Sequence, residues 1–193
     1  MRTMAASLIA LFVLSGPVMG KHFSQAALAA QDRVIQAIPL LESIELDGHL
    51  REKAWQTGGY TGFVQSSPRD GDQPSEQTRV WVAYDNDAVY VAARLFDSEP
   101  DAITRVLGRR DDWVSSDWFI VGLDTYFDHS SGLEFAVNPA GCVVDWTLYN
   151  DVGRDSSWDG VWTSATRVDE HGWSVEIRIP YSQLSFPPRE SYT

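Results

Sequence analysis

Tryptophans with acidic and basic neighbours are the part of this sequence best suited to bind a ligand. Trp113 lies in the polar stretch Arg109–Ser116, where no alternation of apolar residues requires burial. Trp158 follows a run of polar residues and precedes Asp159. An indole offers a flat face to the C–H surface of a sugar, and arginine or aspartate can bond adjacent hydroxyls. These residue types therefore predict sugar binding by stacking.

The predicted sugar site contains two rings and three polar side chains. Its members are Trp113, Trp158, Arg109, Asp111 and Asp159. Most of the eight tryptophans are nevertheless expected in the core, because this residue type commonly packs there in β-proteins. The core prediction applies to Trp55, Trp118 and Trp173. The orientation of three others stays open: Trp81, Trp146 and Trp162.

Acidic residues give a second prediction, a calcium site. The candidate ligands are Asp112, Asp117 and Asp124. Calcium takes several oxygen ligands and suits flexible loops rich in carboxylates. No EF-hand loop occurs in the sequence, so solvated turns or ion pairs with Arg109 and Arg110 are the alternative reading of these carboxylates.

The N-terminus has the pattern of a secretory signal peptide. Arg2 precedes an apolar run from Met4 to Val18, and Ala27-Leu28-Ala29 offers a cleavage signal. The run is shorter than the roughly 20 residues that a spanning helix needs, and no later segment is long and apolar enough to be one. We therefore predict a leader over 1–29 and one exported domain over 30–193, in the periplasm or outer membrane of a Gram-negative bacterium.

Charge and cysteine content exclude several classes of partner and chemistry. The net charge is −12, and it becomes −14 when Arg2 and Lys21 leave with the leader. An acidic surface repels nucleic-acid phosphates and anionic lipid, so neutral sugars or divalent cations are the better partners. Cys142 is the only cysteine, which excludes an intrachain disulfide, and its apolar neighbours predict an inert buried thiol.

Alternating apolar and polar residues predict an all-β chain. Three predicted hairpins join Thr78–Tyr84 to Val89–Phe96, Leu133–Val137 to Cys142–Leu148, and Val161–Val168 to Trp173–Ile179. Further predicted elements are a short strand at Ser43–Leu46, a helical turn within His49–Trp55, a short helix from Pro100 and a central strand at Trp118–Leu123. Hairpins with little helix favour an antiparallel β-sandwich.

Several short motifs, in this order, resemble carbohydrate-binding module family nine. The residues that carry the resemblance are Leu46-Asp47-Gly48, Ala54-Trp55, Tyr84-Asp85, Arg109-Arg110-Asp111, Asp124, Phe135–Gly141, Trp158–Trp162, Gly172-Trp173 and Ile179-Pro180. More narrowly, the chain resembles the version at the N-terminus of exported bacterial proteins that continue into a predicted outer-membrane β-barrel. The resemblance implies a jelly-roll-like sandwich, no catalysis, a sugar held between two tryptophans, and structural calcium.

Two other functions are compatible with this sequence. The domain could dock onto an outer-membrane barrel without binding sugar, and the lack of a closing element after Phe186 indicates a truncated chain. It could also be an accessory fragment of a glycoside hydrolase with catalysis elsewhere. Glycosidases need two carboxylates across a cleft, but carboxylates are so abundant here that their presence does not discriminate.

Overall fold

Strands dominate the chain. A computed structural model describes residues 34–150 and 153–186, together with the backbone of 8–12. In chain order its strands are β1 (Leu8–Phe12), β2 (Ile38–Pro39), β3 (Thr78–Tyr84), β4 (Ala88–Phe96), β5 (Phe119–Leu123), β6 (Gly132–Val137), β7 (Val143–Tyr149), β8 (Gly153–Asp155), β9 (Thr163–Asp169) and β10 (Gly172–Pro180). Helix α1 (Lys53–Gln56) is one turn long, and 3-10 turns occupy Pro100–Ala102 and Tyr181–Gln183.

The strands form two sheets. The first has the order β1-β5-β6-β7-β8 and the second the order β2-β3-β4-β10-β9. Pairing is antiparallel except for β1 on β5 and β2 on β3. The three predicted hairpins are confirmed as β3–β4, β6–β7 and β9–β10, and the predicted central strand is β5. The prediction of an all-β sandwich is therefore confirmed.

Two smaller predictions met different outcomes. The strand predicted at Ser43–Leu46 is wrong, because this segment is not an extended strand and pairs with no strand among the described residues. Ile44 instead packs against the outer face of the second sheet, and such packing gives the same apolar alternation as a strand. The predicted helical turn within His49–Trp55 is α1, shifted to Lys53–Gln56.

The main core lies between the two sheets. Alternate residues of each strand point inward, so that Phe119 and Phe135 of the first sheet meet Val175 and Ile177 of the second, all with no exposed surface. Trp173 belongs to this core. The other two tryptophans predicted to be buried, Trp55 and Trp118, lie in separate clusters on the outer faces of the sheets.

The outer face of the second sheet is covered by the segment 38–57. Glu176 of β10 anchors this cover, because its buried carboxylate accepts hydrogen bonds from the backbone N–H groups of Asp47 and Gly48, at 3.0 and 2.7 Å, and from the indole N–H of Trp55 at 3.0 Å. Gly48 has a φ of +77°, and a side chain there would meet the Thr166 backbone at 2.9 Å. The Asp-Gly pair therefore lets the cover approach the sheet closely.

The ends of the chain fall mostly outside the described residues. The predicted leader, 1–29, is described only at Leu8–Phe12, whose backbone pairs with β5. Its removal and its cleavage point stay predictions, as does a truncation after residues 187–193. Among the described residues no helix has the length and apolar character needed to cross a bilayer.

Glu176→Gln tests the anchor through its pH dependence. Burial raises the pKa of Glu176, so the folded state binds this proton more tightly than the unfolded state does. The contribution of Glu176 to stability is thus fully present below its unfolded pKa and declines as pH rises through its higher folded pKa. The glutamine amide cannot ionise. Its NH₂ group is a donor and faces at least one backbone or indole N–H donor, so at least one hydrogen bond is lost and the free energy of unfolding falls by about 1–3 kcal/mol.

Urea unfolding of both proteins from pH 4 upward measures this effect. The stability advantage of wild type over Glu176→Gln should shrink as pH rises and then level off. An advantage that stays constant, or grows with pH, would contradict the assigned direction.

Candidate functional site

The loop before β5 is pinned to the first sheet. Its first contact is a hydrogen bond from the Asp111 N–H to the Val143 carbonyl at 3.0 Å. The Cys142 thiol donates to the Arg109 carbonyl at 3.2 Å. A side chain at Gly108 would meet Val114 at 2.9 Å, so a glycine is needed where the loop turns against its own far end. These contacts hold Trp113 in a defined position.

Trp113 is part of a ladder of three tryptophans on the outer face of the first sheet. Its ring stacks on Trp118 with centroids 4.4 Å apart and planes 9° apart. It also meets Trp146 edge-to-face at 5.7 Å. Trp118 and Trp146 are buried, whereas Trp113 is 55% exposed. One face of the Trp113 indole therefore packs on Trp118, while the residue keeps a large exposed surface.

Arg110 links the Trp113 loop to the segment around Asp159. Its guanidinium bonds the buried carboxylate of Asp145, the Asp159 carboxylate at 2.8 Å and the Gly160 carbonyl at 2.7 Å. Asp145 also accepts from the Gly160 N–H at 3.0 Å and the Trp162 indole N–H at 2.8 Å. Arg110 therefore joins two loops through one buried acid.

The predicted sugar residues do not all share one surface. Trp158 is half-buried on the core side of the first sheet, with its ring 5.8 Å edge-to-face from Phe135, whereas Trp113 lies on the outer side. Asp159 is exposed but is held by Arg110, and Asp111 lies 3.7 Å from the same guanidinium. Arg109 is exposed, and its backbone N–H donates to Asp112.

The predicted metal ligands are also separated. Asp117 precedes β5 and Asp124 follows it, so a whole strand stands between them. Asp112 accepts from the Arg109 N–H, Asp117 from the Thr104 N–H, and Asp124 from the His129 N–H at 2.9 Å. Nowhere in 34–150 or 153–186 do three metal-binding side chains come together. The structure therefore does not bring Asp112, Asp117 and Asp124 together, while calcium itself stays a prediction from the resemblance.

Glu134 and Arg154 are not among the site residues predicted from the sequence, which leaves the orientation of Trp146 open. The Trp146 indole N–H donates to the buried carboxylate of Glu134, and Arg154 of β8 donates to the same oxygen at 3.0 Å. The Arg154 guanidinium lies over the Trp146 ring at 4.7 Å. Strand alternation could have placed Glu134, Trp146 and Arg154 on one face, but only the pairing of β6 with β7 and of β7 with β8 makes them neighbours.

Comparison with known proteins rests on structure. No family-wide sequence profile matches the chain, and no characterised protein matches it by sequence. A carbohydrate binding module family 9 from Caldicellulosiruptor kristjanssonii in complex with cellotriose superposes with a TM-score of 0.52 at 17% identity, over 81% of this chain and 72% of that one. Its complex with glucose gives 0.52 at 18% identity, over 81% and 73%.

The fold is family 9-like. The sandwich predicted from the motifs is therefore confirmed at the level of architecture by proteins that share little sequence with the chain. Sequence identities of 17% and 18% support a shared fold but not a shared ligand. The family 9-like fold therefore locates no site by itself. The Trp113 ladder is the structural feature that indicates a site.

Arg110→Ala tests whether the Arg110 linkage holds the two loops. Removal of the guanidinium leaves the buried Asp145 carboxylate without its cation, and we expect unfolding free energy to fall by about 3 kcal/mol. The neighbouring Arg109→Ala removes an exposed arginine that makes no side-chain hydrogen bond or ion pair within the described ranges, and should change stability by less than about 0.5 kcal/mol. Urea denaturation of both variants measures the difference, and equal losses would refute the linkage.

Proposed function

We propose that this domain binds carbohydrate without catalysis, by stacking a sugar on the exposed surface of Trp113. The observation that carries the proposal is the ladder itself. Trp118 supports one face of the Trp113 ring, the loop is pinned on both sides, and the ring is still 55% exposed. A rigid aromatic platform binds a ring with little loss of conformational entropy.

The charges around the platform favour a neutral sugar. The chain carries a net charge of −12, which repels polyanions at long range. Arg109 and Asp111 belong to the same loop as Trp113 and are exposed, so they remain candidates for bonding hydroxyls at the rim. Asp159 and Trp158 are assigned a secondary role, because Arg110 holds the first and Phe135 packs on the second.

The buried acids support binding without hydrolysis. A glycosidase needs one carboxylate free to protonate the leaving group and another free to attack or activate water. The three most buried carboxylates of the described chain each accept an indole N–H instead: Asp145, Glu134 and Glu176. This engagement agrees with a structural role for these acids.

The same proposal includes the setting of the domain. We assign it to an exported bacterial protein of the periplasm or outer membrane, on the basis of the leader pattern over 1–29. In that setting the module would hold its protein, including an attached outer-membrane barrel, against a poly- or oligosaccharide.

Trp113→Ala should abolish sugar binding. Isothermal titration of the wild-type chain against a panel of neutral sugars tests the role, beginning with glucose and cellotriose because the structurally similar modules hold them. The substitution removes the platform and two aromatic pairs, with Trp118 and Trp146, so we expect a stability loss of about 1–3 kcal/mol beyond that of the lost buried area. Thermal unfolding checks that the variant is folded.

The matched control is Tyr84→Ala, which removes an aromatic ring that is 41% exposed at the end of β3 in the second sheet. It should bind as wild type does. Unchanged affinity in Trp113→Ala would refute the site, and a folded wild type that binds no panel sugar would refute the carbohydrate role.

A further inference from the structure

We propose that Arg154 provides the polar half of the Trp113 site and bonds two adjacent hydroxyls of a neutral sugar. This inference rests on the proposed function and specifies the class of ligand that the same site accepts. Arg154 lies on β8, the strand beside the one that carries Trp146.

The Arg154 guanidinium is fixed in orientation. Its Nε donates to Glu134 Oε2 at 3.0 Å, and its central carbon Cζ lies over the Trp146 ring, 4.7 Å from the ring centroid. Glu134 is only 3% exposed and also accepts the Trp146 indole N–H. Because the carboxylate is buried and accepts two hydrogen bonds, it holds the guanidinium in place.

The outer edge of this guanidinium is available to a ligand. Its Nε is occupied by Glu134, but its two Nη groups make no hydrogen bond with any residue that the structure describes. The side chain is 51% exposed. A planar, oriented pair of N–H donors matches two hydroxyl oxygens on neighbouring ring carbons, and little entropy is lost on binding.

Arg154 and the platform have a neighbour in common. Trp146 contacts Arg154 through its ring face and Trp113 at 5.7 Å through an edge-to-face contact. A sugar stacked on Trp113 can therefore extend its rim toward the Nη groups of Arg154. This shared contact is the basis for assigning the two residues to one site.

Local charge favours hydroxyls over a carboxylate as the partner of Arg154. Glu134 neutralises the guanidinium at a distance of 3.0 Å, so the pair carries no net charge. The net charge of −12 adds long-range repulsion of acidic sugars. A neutral sugar with a vicinal diol therefore fits this site better than a uronic acid does.

The proposal is tested by titrating Arg154 variants with a sugar. The sugar is the member of the panel that the wild type binds best, for example glucose. The comparison ligands are the monodeoxy analogues of that sugar and its uronic acid, here glucuronate. Arg154→Ala should weaken binding of the parent sugar tenfold or more, as expected for two lost charge-assisted hydrogen bonds. Arg154→Lys should recover only a small part, because an ammonium cannot bond two hydroxyls in a fixed plane.

Selectivity separates Arg154 from a merely structural residue. Wild type should bind the deoxy analogue that lacks one contacted hydroxyl several-fold more weakly than the parent sugar, and Arg154→Ala should bind both alike. Glu134→Gln should reduce this selectivity, because the anchor of the guanidinium is weakened. Tighter binding of glucuronate than of glucose would overturn the assignment of a neutral diol.

Two controls protect the test against unfolding. Arg51→Ala removes an arginine that is 70% exposed on the cover of the other sheet, and should bind normally. The double variant Glu134→Gln/Arg154→Met leaves no unpaired buried charge, and should be folded but should bind weakly. If wild type binds and every Arg154 variant binds equally well, this inference fails alone, whereas a wild type that binds no panel sugar removes the proposed function as well.

Discussion

Buried carboxylates bonded to indole N–H groups are the interaction on which the fold depends. A buried acid is costly unless it is fully hydrogen-bonded, and a buried indole N–H needs an acceptor, so each group satisfies the other. Each pair also accepts at least one further donor. The pairs are Glu176 with Trp55, Glu134 with Trp146, and Asp145 with Trp162.

Each pair connects its strand to a neighbouring segment of the chain through a hydrogen bond made by the same carboxylate. Glu176 fastens the cover of the second sheet, and Asp145 fastens the segment after β8 to β7. Glu134 of β6 accepts a hydrogen bond from Arg154 and so holds β8 against the sheet. The chain has a single cysteine and therefore no intrachain disulfide, and these polar anchors act where a covalent link would otherwise limit motion.

Local pattern predicted the strands because alternation is a property of neighbouring residues. The hairpins β3–β4, β6–β7 and β9–β10 were therefore found from sequence alone. Ser43–Leu46 shows the limit of that method, because a segment lying flat on a sheet alternates as a strand does. Hydrogen-bond partners decide between the two, and alternation does not encode them.

The candidate site was predicted only in part for the same reason. Trp113 could be found because its neighbours are polar. Arg154 gave no signal, because its position depends on Glu134 and Trp146, which precede it by 20 and 8 residues. The sequence context predicts ion pairs between Arg110 and nearby acids, whereas the buried partner of Arg110 is Asp145, on strand β7.

The Arg110 linkage also determines how the Trp113 loop can move. Loops usually open locally at a free energy well below that of global unfolding. Here a large opening would separate Arg110 from Asp145 and leave a buried carboxylate without its cation, a state that is strongly disfavoured. We therefore expect the loop and the core to open as one cooperative unit, with amide hydrogens near Trp113 exchanging with solvent at rates close to those of the strands beneath them.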